Sequence, residues 1–116
     1  MTIPTPYKAI ADTTRRQILD LLRNENLTAG VIAARFRKRS LSRPAVSKHL
    51  RILRQSRLVL VRKQGRERVY ALNAEPLREV DIWLKEYEAF LDRQLQAFKD
   101  YVESESKKEN RDDQRS

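Results

Sequence analysis

The segment from Ser42 to Ser56 has the pattern of an amphipathic helix with cations on its exposed faces. Ser42 is a favoured N-cap residue and Pro44 suits the first helical turn, so the pattern predicts that a helix begins here. Apolar residues recur at i, i+4 and i+7 and define one buried stripe: Val46, Leu50 and Leu53. The other faces carry basic and short polar side chains: Arg43, Ser47, Lys48, Arg51 and Arg54.

A helix of this kind can enter the major groove of DNA. Lys and Arg side chains reach guanine O6 and N7 there, and Ser can bond several base edges. The early turns of a recognition helix reach the bases, so Arg43, Ser47 and Lys48 are predicted to read the sequence. The alternative is a solvated basic helix on the surface of a globular domain, which this segment alone does not exclude.

The positive charge of the chain is concentrated around this segment. The chain has 116 residues and a formal net charge of +9. Between Arg35 and Arg68 there are 13 Lys or Arg residues and a single acidic residue, Glu67. This concentration predicts a polyanionic partner, most simply nucleic acid.

The composition also limits the cellular compartment. With no Cys, the chain can form neither a disulfide framework nor a thiolate metal site. No apolar run approaches the roughly 20 residues of a bilayer span, and the N-terminus lacks a signal-peptide pattern. These features predict a cytoplasmic protein with no membrane partner.

A short helix and a longer one are predicted near the N-terminus. In the short helix three residues form an apolar side that requires a partner: Tyr7, Ile10 and Ala11. Asp12 can cap a second helix that runs from Thr13 to about Asn24. Three of its residues are expected to face the core: Ile18, Leu19 and Leu22.

A third helix is predicted to support the basic one. Thr28 can cap it, and its apolar residues repeat at helical spacing: Ala29, Ile32, Ala33 and Phe36. The connection Arg37–Leu41 then leads to Ser42 and is slightly longer than the usual turn of about 3–4 residues. The two helices together form a helix-turn-helix.

After Ser56 the chain changes to a strand pattern. Leu58–Val61 and Arg68–Leu72 are β-prone runs, and Gln64-Gly65 can supply the positive φ of a hairpin turn. Taken alone, such a hairpin could be a solvated sheet edge whose charges prevent aggregation. Beside a basic helix-turn-helix it is a basic wing. The residues assigned to DNA phosphates are Arg39, Ser42, Arg51, Arg54, Arg62, Lys63, Arg66 and Arg68.

A long amphipathic helix is predicted from Pro76 to about Glu103. Its apolar residues step by three or four along one stripe, widened by three aromatic residues: Leu77, Val80, Leu84, Tyr87, Leu91, Leu95, Phe98 and Val102, with Trp83, Phe90 and Tyr101. At 1.5 Å per residue this helix is roughly 40 Å long, more than a small winged domain can cover.

The surplus apolar length of the last helix favours a second chain, because an unpaired stripe of this size would be an exposed patch. An intramolecular core helix is the alternative. The predicted dimer interface takes residues from the first and last helices: Tyr7, Ile10, Leu84, Tyr87, Leu91, Leu95, Phe98 and Val102.

Residues 103–116 differ from the rest of the chain in composition. They mix charges of both signs and contain no apolar side chain, which is typical of disorder. The sequence therefore predicts one winged helix-turn-helix domain over residues 1–102 and a disordered polar tail over residues 103–116. The predicted fold class is mainly α with a small β-hairpin: four helices, two strands and a final helix, in that order.

Five segments are distinctive when taken together: Tyr7–Asp12, Thr14–Leu19, Leu27–Gly30, Ser42–Leu50, and Gly65-Arg66 followed by Tyr70–Asn73. They resemble the signatures of the ArsR/SmtB family of bacterial winged-helix transcriptional regulators, and the resemblance extends from about Tyr7 to Val102. It implies a homodimer that is joined through its first and last helices, binds operator DNA and usually represses transcription.

The chain departs from the family pattern in three places. Thr13 stands where many members have Pro, and Arg37–Ser40 lengthens the turn before the recognition helix and adds cations to it. The metal-sensing members carry a Cys-x-Cys motif on the third helix, or His and carboxylate ligands on the last. Here the third helix has no Cys, and the last helix has Asp81, Glu86 and Glu88 but no His.

Neither a metal site nor an enzymatic site is predicted. The single histidine, His49, lies in the recognition helix, so a His-rich zinc or nickel site cannot form within one subunit. A carboxylate-only site would favour hard cations, and carboxylates on a long helix are usually just solvated. The chain has no Cys nucleophile, no Gly-rich phosphate loop and no His away from the DNA face to act as a general base. No cofactor is expected.

Three classes of function fit these features. The favoured one is a sequence-specific repressor, which could also regulate its own gene, bound to an inverted-repeat operator. The second is a module that binds nucleic acid without sequence preference, although Tyr70 is the only aromatic residue near the wing that could stack on bases. The third is a protein-interaction module acting through its last helix. A fixed register on one DNA sequence would separate the first class from the others.

Overall fold

The computed structural model describes the backbone of residues 4–115 and the side chains of residues 4–110. Within that part of the chain the elements are, in order, α1 (Pro6–Ile10), α2 (Thr13–Asn24), β1 (Leu27–Thr28), α3 (Ala29–Phe36), a 3₁₀ turn (Arg37–Arg39), α4 (Arg43–Gln55), β2 (Val59–Gln64), β3 (Glu67–Leu72) and α5 (Leu77–Arg115). Helices α3 and α4 form a helix-turn-helix, and β2 and β3 form the wing. The prediction of a mainly α winged helix-turn-helix is confirmed.

A side chain caps the N-terminus of each of the first four helices. The three caps predicted from the sequence are confirmed: Asp12, Thr28 and Ser42 each accept a hydrogen bond from the N–H three residues further on, at 3.0, 3.3 and 3.3 Å. Thr5 caps α1 in the same way, at 3.2 Å from the N–H of Lys8. Each cap satisfies a backbone donor that has no partner within the helix.

The core is built from the apolar stripes predicted for α2, α3 and α4. The buried side chains of these helices are Ile18, Leu19, Leu22, Ile32, Phe36, Val46, Leu50 and Leu53, and Ala9, Leu27, Leu58 and Val59 join them from the neighbouring segments. Enclosing one large side chain of this kind contributes about 1.5–3 kcal/mol. The core therefore decides which faces of the three helices point outward.

The sheet has three strands rather than the two that were predicted. Its order is β1-β3-β2, and the short strand β1 pairs antiparallel with β3, with Leu27 opposite Tyr70 and Thr28 opposite Val69. Two residues are too few to show a strand pattern in the sequence, and they become a strand only because β3 lies alongside. As a result, the beginning of α3 is attached to the wing.

The connection between α3 and α4 is a single 3₁₀ turn of three exposed cations, Arg37–Arg39. Ser40 follows with φ 58°, in the left-handed region, and ends the 3₁₀ turn as its C-cap before the N-cap Ser42. The longer turn is thus a compact local structure directly before the recognition helix.

The last helix begins directly after Pro76 and continues to Arg115. The predictions that it ends at about Glu103 and that a disordered tail follows were wrong for the described residues, because 103–115 are helical; Ser116 lies outside them. From Leu77 to Arg115 the sequence contains neither Gly nor Pro. Its Glu, Lys, Arg and Gln residues are good helix formers, and the Glu103–Lys107 pair has the favourable i, i+4 order.

The chain divides into two compact units, one up to Val80 and the other from Asp81. Val80 is the last buried residue of the first unit. In the second unit the large apolar side chains of α5 are exposed: Ile82, Trp83, Leu84, Tyr87, Phe90, Leu91, Leu95, Phe98, Tyr101 and Val102. Over the described range, no helix has the length and apolar character that crossing a membrane requires.

Two glycine substitutions should have opposite effects on stability. Gly65, in the turn of the wing, has φ 65°, so Gly65→Ala is strained and should lower the free energy of unfolding by about 1–2 kcal/mol. An added Cβ at Gly30 in α3 would meet only the Thr28 hydroxyl at 4.0 Å, so Gly30→Ala should raise it by about 0.4–1 kcal/mol. Urea unfolding measures both changes. Shifts of the same sign would contradict these backbone assignments.

Candidate nucleic-acid interface

The outward faces of α4 present the polar residues predicted for them. Arg43, Ser47, Lys48, Arg51 and Arg54 are all exposed, whereas the apolar stripe of the helix is buried. The hydroxyl of Ser42 accepts the capping hydrogen bond and keeps its own hydrogen as a donor. The beginning of α4 therefore offers a hydroxyl and cations to an anionic partner.

The register of the wing decides which of its side chains share a face. Arg68 lies opposite Lys63, and Tyr70, two residues further along the same strand, shares their face. Arg62 precedes Lys63 and therefore lies on the other face of the hairpin. Arg66 follows Gly65 in the turn. The wing cations that were predicted as one group are thus divided between two faces and a tip.

One cleft lies between the recognition helix and the wing. It has a volume of about 290 Å³ and is lined by Ser47, Leu50, Arg51 and Arg54 of α4 and by Arg68 and Tyr70 of β3. We call it the first cleft. Three of its six lining residues are arginines, whose guanidinium groups can bind phosphate through two parallel hydrogen bonds.

A second cleft joins the wing to the beginnings of α3 and α4. Its volume is about 340 Å³, and its lining residues are Thr28, Ala29, Gly30, Arg43, Arg66, Glu67, Arg68 and Tyr70. The backbone N–H groups at a helix N-terminus and the positive end of the helix dipole favour anions. Three arginines and the first turn of α3 therefore border the second cleft.

The two clefts bring together residues that were assigned to different roles. Ser47 and Arg43 were predicted to read bases, yet each lines a cleft with arginines assigned to phosphates. Lys48 lies on the exposed surface of α4 and lines neither of them. The structure thus separates Lys48 from the other two predicted base-reading residues.

Two parts of this surface were not predicted as binding elements. Tyr70 lines both clefts, and the only sequence signal for it is the i, i+2 spacing from Arg68 on a strand. The first turn of α3 lines the second cleft, and nothing in the sequence indicates this. Its position depends on the pairing of Leu27 with Tyr70, which joins segments far apart in the chain.

Arg39 lies apart from the other residues predicted to contact phosphates. Its guanidinium carbon is 6.0 Å from the centre of the Phe36 ring. It borders a different hollow, together with Gln17, Asp20 and Leu21 of α2. Neither cleft between α4 and the wing includes it.

The residues predicted for the dimer interface fall into two groups. In α1 the hydroxyl of Tyr7 donates a hydrogen bond to the carbonyl of Glu79 at 3.3 Å, and Ile10 packs against the core, so both are half-buried within the chain. The α5 residues are all exposed, by 43–64%: Leu84, Tyr87, Leu91, Leu95, Phe98 and Val102.

His49 faces α2 and not the DNA side of the recognition helix. Its side chain is only 17% exposed, and its Nδ1 lies 3.2 Å from a guanidinium nitrogen of Arg15 and 3.9 Å from the carboxylate of Asp12. The assignment of this histidine to the DNA face was wrong. His49 lies three residues after Val46 and four before Leu53, so helical spacing places it at the edge of the buried stripe.

Asp12 combines its capping role with this polar contact. Partial burial raises the pKa of its carboxyl group, but the hydrogen bond from the backbone N–H of Arg15, the charge of the Arg15 guanidinium group and the hydrogen bond from the N–H of Thr14 lower it. The lowering effects are larger together, so the pKa of Asp12 lies below its usual value. The folded chain therefore favours the ionised form of the Asp12 carboxyl group.

The described residues contain no group of three or more His, Asp, Glu or Cys side chains that could hold a metal ion. Asp81, one of the three carboxylates considered on the last helix, is paired with Lys85 at 3.1 Å. An ion pair at i, i+4 on an exposed helix face is ordinary surface chemistry.

Comparison with known proteins identifies the fold and the function together. A family described as a helix-turn-helix domain matches residues 10–62. The transcriptional repressor SdpR of Bacillus subtilis is 41% identical over 78 residues, which cover 67% of this chain and 83% of that protein. The HTH-type transcriptional regulator Rv2034 of Mycobacterium tuberculosis is 37% identical over 99 residues, covering 85% of this chain and 87% of that protein.

Among solved structures, an ArsR-like transcriptional regulator from Rhodococcus sp. RHA1 superposes with a TM-score of 0.65 at 35% identity, covering 84% of this chain and 87% of that one. The chain belongs to the ArsR/SmtB family. This ArsR/SmtB-family protein is a DNA-binding transcriptional regulator and not an enzyme. In helix-turn-helix proteins generally, the second helix of the motif lies in the major groove.

The Asp12 cap should stabilise the folded regulator in a pH-dependent way. Asp12→Ala should lower the free energy of unfolding by about 1 kcal/mol at neutral pH, the usual value of a helix cap. Because the folded-state pKa of Asp12 is lowered, this stabilisation is present above the pKa of the unfolded chain and is lost as the pH falls through the folded-state pKa. Urea unfolding from pH 7 to about pH 3 measures the difference between the two proteins.

Asp20→Ala is the matched control, since Asp20 is an exposed carboxylate in the middle of the same helix. The difference between wild type and Asp12→Ala should shrink as the pH is lowered. A difference that stays constant to pH 3, or one that Asp20→Ala reproduces, would show that the ionised cap is not its source.

Proposed function

We propose that this ArsR/SmtB-family regulator is a homodimeric repressor that binds an inverted-repeat operator, with α4 in the major groove and the wing on the DNA backbone. The observation that carries the proposal is the pair of arginine-lined clefts between α4, the beginning of α3 and β3. Repression is supported by the relative SdpR, which is named a transcriptional repressor.

The clefts suit the DNA backbone because they combine several cations with hydroxyl and N–H donors. In the first cleft Arg51, Arg54 and Arg68 are joined by the hydroxyls of Ser47 and Tyr70. In the second cleft Arg43 and Arg66 face the first turn of α3. Phosphate oxygens accept hydrogen bonds from all of these donor types. A phosphate in each cleft would fix the orientation of α4 on the duplex.

Lys48 is the leading candidate for base reading. It is exposed on the second turn of α4, and it borders neither of the clefts that would hold phosphates. The early turns of a recognition helix reach the base edges in helix-turn-helix docking. Arg43 and Ser47 stay candidates for the same role, since a side chain at the rim of a cleft can reach either a phosphate or a base.

Truncation of Lys48 and truncation of Arg68 should therefore weaken DNA binding in different ways. Lys48→Ala should weaken operator binding by about 1–3 kcal/mol and change binding to scrambled DNA little, because it removes a contact to a base edge. Arg68→Ala should weaken both duplexes alike and lower the slope of log K against log salt by about one. The operator is first identified by selection from random duplexes, and affinities are then titrated over a range of salt concentrations.

Arg23→Ala is the control for charge alone, since Arg23 is an exposed arginine near the end of α2 and borders neither cleft. It should change both affinities much less than Arg68→Ala does. If Arg68→Ala abolishes operator preference while Lys48→Ala preserves it, the roles of the helix and the wing are reversed. If wild type itself shows no operator preference, the protein binds nucleic acid without sequence preference.

The dimer is proposed to form through α1 and the apolar stripe of α5. The stripe carries Leu84, Tyr87, Leu91, Leu95, Phe98 and Val102, all exposed in the single chain. An exposed patch of this length is typical of a surface that another chain covers. A two-fold axis would place the two recognition helices about 34–36 Å apart, one helical turn of DNA, and this is why an inverted repeat is expected.

Charges placed in the stripe should separate the subunits. Leu91→Glu and Leu95→Glu should each shift wild-type dimer to monomer, because a carboxylate buried without a partner is costly. Sedimentation equilibrium measures the mass, and far-UV circular dichroism checks that the helices persist. Both variants should also lose most of their operator affinity, since two half-sites would no longer be bound together.

Gln96→Glu introduces the same change of charge on the opposite face of α5, where Gln96 donates to Asp100 at 3.0 Å. This variant should stay dimeric and bind the operator as wild type does. A monomeric wild type, or dimers that persist in both leucine variants, would contradict the proposed interface. No metal effector or cofactor forms part of this proposal.

A further inference from the structure

The guanidinium group of Arg15 connects three helices. Arg15 belongs to α2, and its Nε–H donates to the carbonyl of Ala9 at 2.7 Å, while one terminal nitrogen donates to the carbonyl of Lys8 at 3.1 Å. The other terminal nitrogen lies 3.2 Å from Nδ1 of His49 on α4. One side chain thus links the last turn of α1 to the middle of the recognition helix.

The chemistry of these groups sets the direction of each hydrogen bond. Arginine has only donors, so the contact with His49 requires a lone pair on Nδ1 and places the imidazole proton on Nε2. The carbonyls of Lys8 and Ala9 belong to the C-terminal end of α1, where few backbone acceptors have partners within the helix. The carbonyl of Lys8 also accepts from the N–H of Ala11 at 3.3 Å, so Arg15 supplies a second donor there. The planar guanidinium satisfies acceptors in two directions at once, which an ammonium group on a flexible stem does not do in a fixed geometry.

The two helices that Arg15 links are proposed to serve different functions, α1 in dimerisation and α4 in DNA binding. Helix α1 carries Tyr7 and Ile10, which are proposed to contribute to the dimer interface, and α4 carries Lys48, adjacent to His49 in the sequence. Helix α1 is only five residues long, and Ala9 is its one fully buried residue. Its orientation therefore depends strongly on the hydrogen bonds that hold its last turn.

We propose that Arg15 is a positioning residue that sets the orientation of α4 relative to α1 through its hydrogen bond to His49, and thereby the separation of the two recognition helices in the dimer. This inference rests on the proposed function, in which a dimer binds an inverted repeat. Arg15 touches no DNA in this role. It acts through His49, which lies on the inner side of the recognition helix.

Arg16 provides a matched control within the same helix. Its guanidinium donates to the carbonyl of Ile10 at 2.6 Å, so it also ties α2 to the end of α1. Its second contact, at 3.3 Å, goes to the hydroxyl of Thr13 on its own helix. Removal of Arg16 weakens the attachment of α1 but leaves the link to α4 in place.

The test is the dependence of affinity on the spacing between half-sites. Full-length wild type, Arg15→Gln and Arg16→Gln are titrated with operators whose half-sites are moved apart or together in single base pairs. Wild type should prefer one spacing. Arg15→Gln should reduce that preference by about fivefold or more, the lower end of typical coupling between two sites, while Arg16→Gln should preserve it.

Substitutions of His49 test the same link from α4 and leave the bonds from Arg15 to α1 intact. His49→Phe keeps a ring of similar size but removes the acceptor, so it should lose spacing preference as Arg15→Gln does. His49→Asn can place its amide oxygen near the position of Nδ1 and should restore the preference. Thermal unfolding checks that each variant is folded. If Arg15→Gln does not fold, the comparison of His49→Phe with His49→Asn decides the question.

Each outcome has a defined meaning. Spacing preference that is unchanged in both Arg15→Gln and His49→Phe would overturn the inference, as would an equal loss in Arg16→Gln or a failure of His49→Asn to restore it. A wild type that is dimeric and operator-specific but indifferent to spacing would also overturn it. A wild type that is monomeric, or that has no operator preference, would refute the proposed function first and the positioning role with it.

Discussion

Burial of the apolar stripe on α4 is the constraint on which the rest of the structure depends. Val46, Leu50 and Leu53 are 0–2% exposed, and enclosing each of them contributes about 1.5–3 kcal/mol. With these three positions buried, helical periodicity directs Arg43, Ser47, Lys48, Arg51 and Arg54 outward and leaves His49 at the edge of the core. Helix α3 and the wing pack against the same core, so they border α4 and complete the binding surface.

The charge distribution on that surface explains why a polyanion is its natural partner. Three arginines line the first cleft, and Glu67 is the single acidic residue among those that line the two clefts. Like charges held close together raise the electrostatic energy of the free protein, and neutralisation by phosphate removes that cost. Binding also releases the counterions that surround DNA, which is why the strength of such contacts depends on salt. In the proposed complex, the same cations that are unfavourable in isolation would therefore provide affinity.

Local patterns in the sequence were reliable wherever neighbouring residues alone decide the structure. The caps at Asp12, Thr28 and Ser42 and the buried stripes of α2, α3 and α4 depend on spacings of three or four residues, and all were confirmed. The prediction of a disordered tail was wrong because, in a segment without Gly or Pro, the helix propensity of Glu, Lys, Arg and Gln is sufficient to continue α5. Strand β1 was missed because two residues show no periodicity, and their pairing with β3 is made across more than forty residues of chain.

The sequence by itself determined the family, the order of the main elements and the identity of most cations near the proposed DNA surface, because these follow from local periodicity and from motifs read in one dimension. Only the tertiary structure decided which of those cations act together. It placed Arg68 and Tyr70 in both clefts, separated Arg39 and Arg62 from them, and turned His49 towards Arg15. The physical reason is that a shared cleft or a hydrogen bond between helices depends on strand register and core packing, which join residues that lie far apart in the chain.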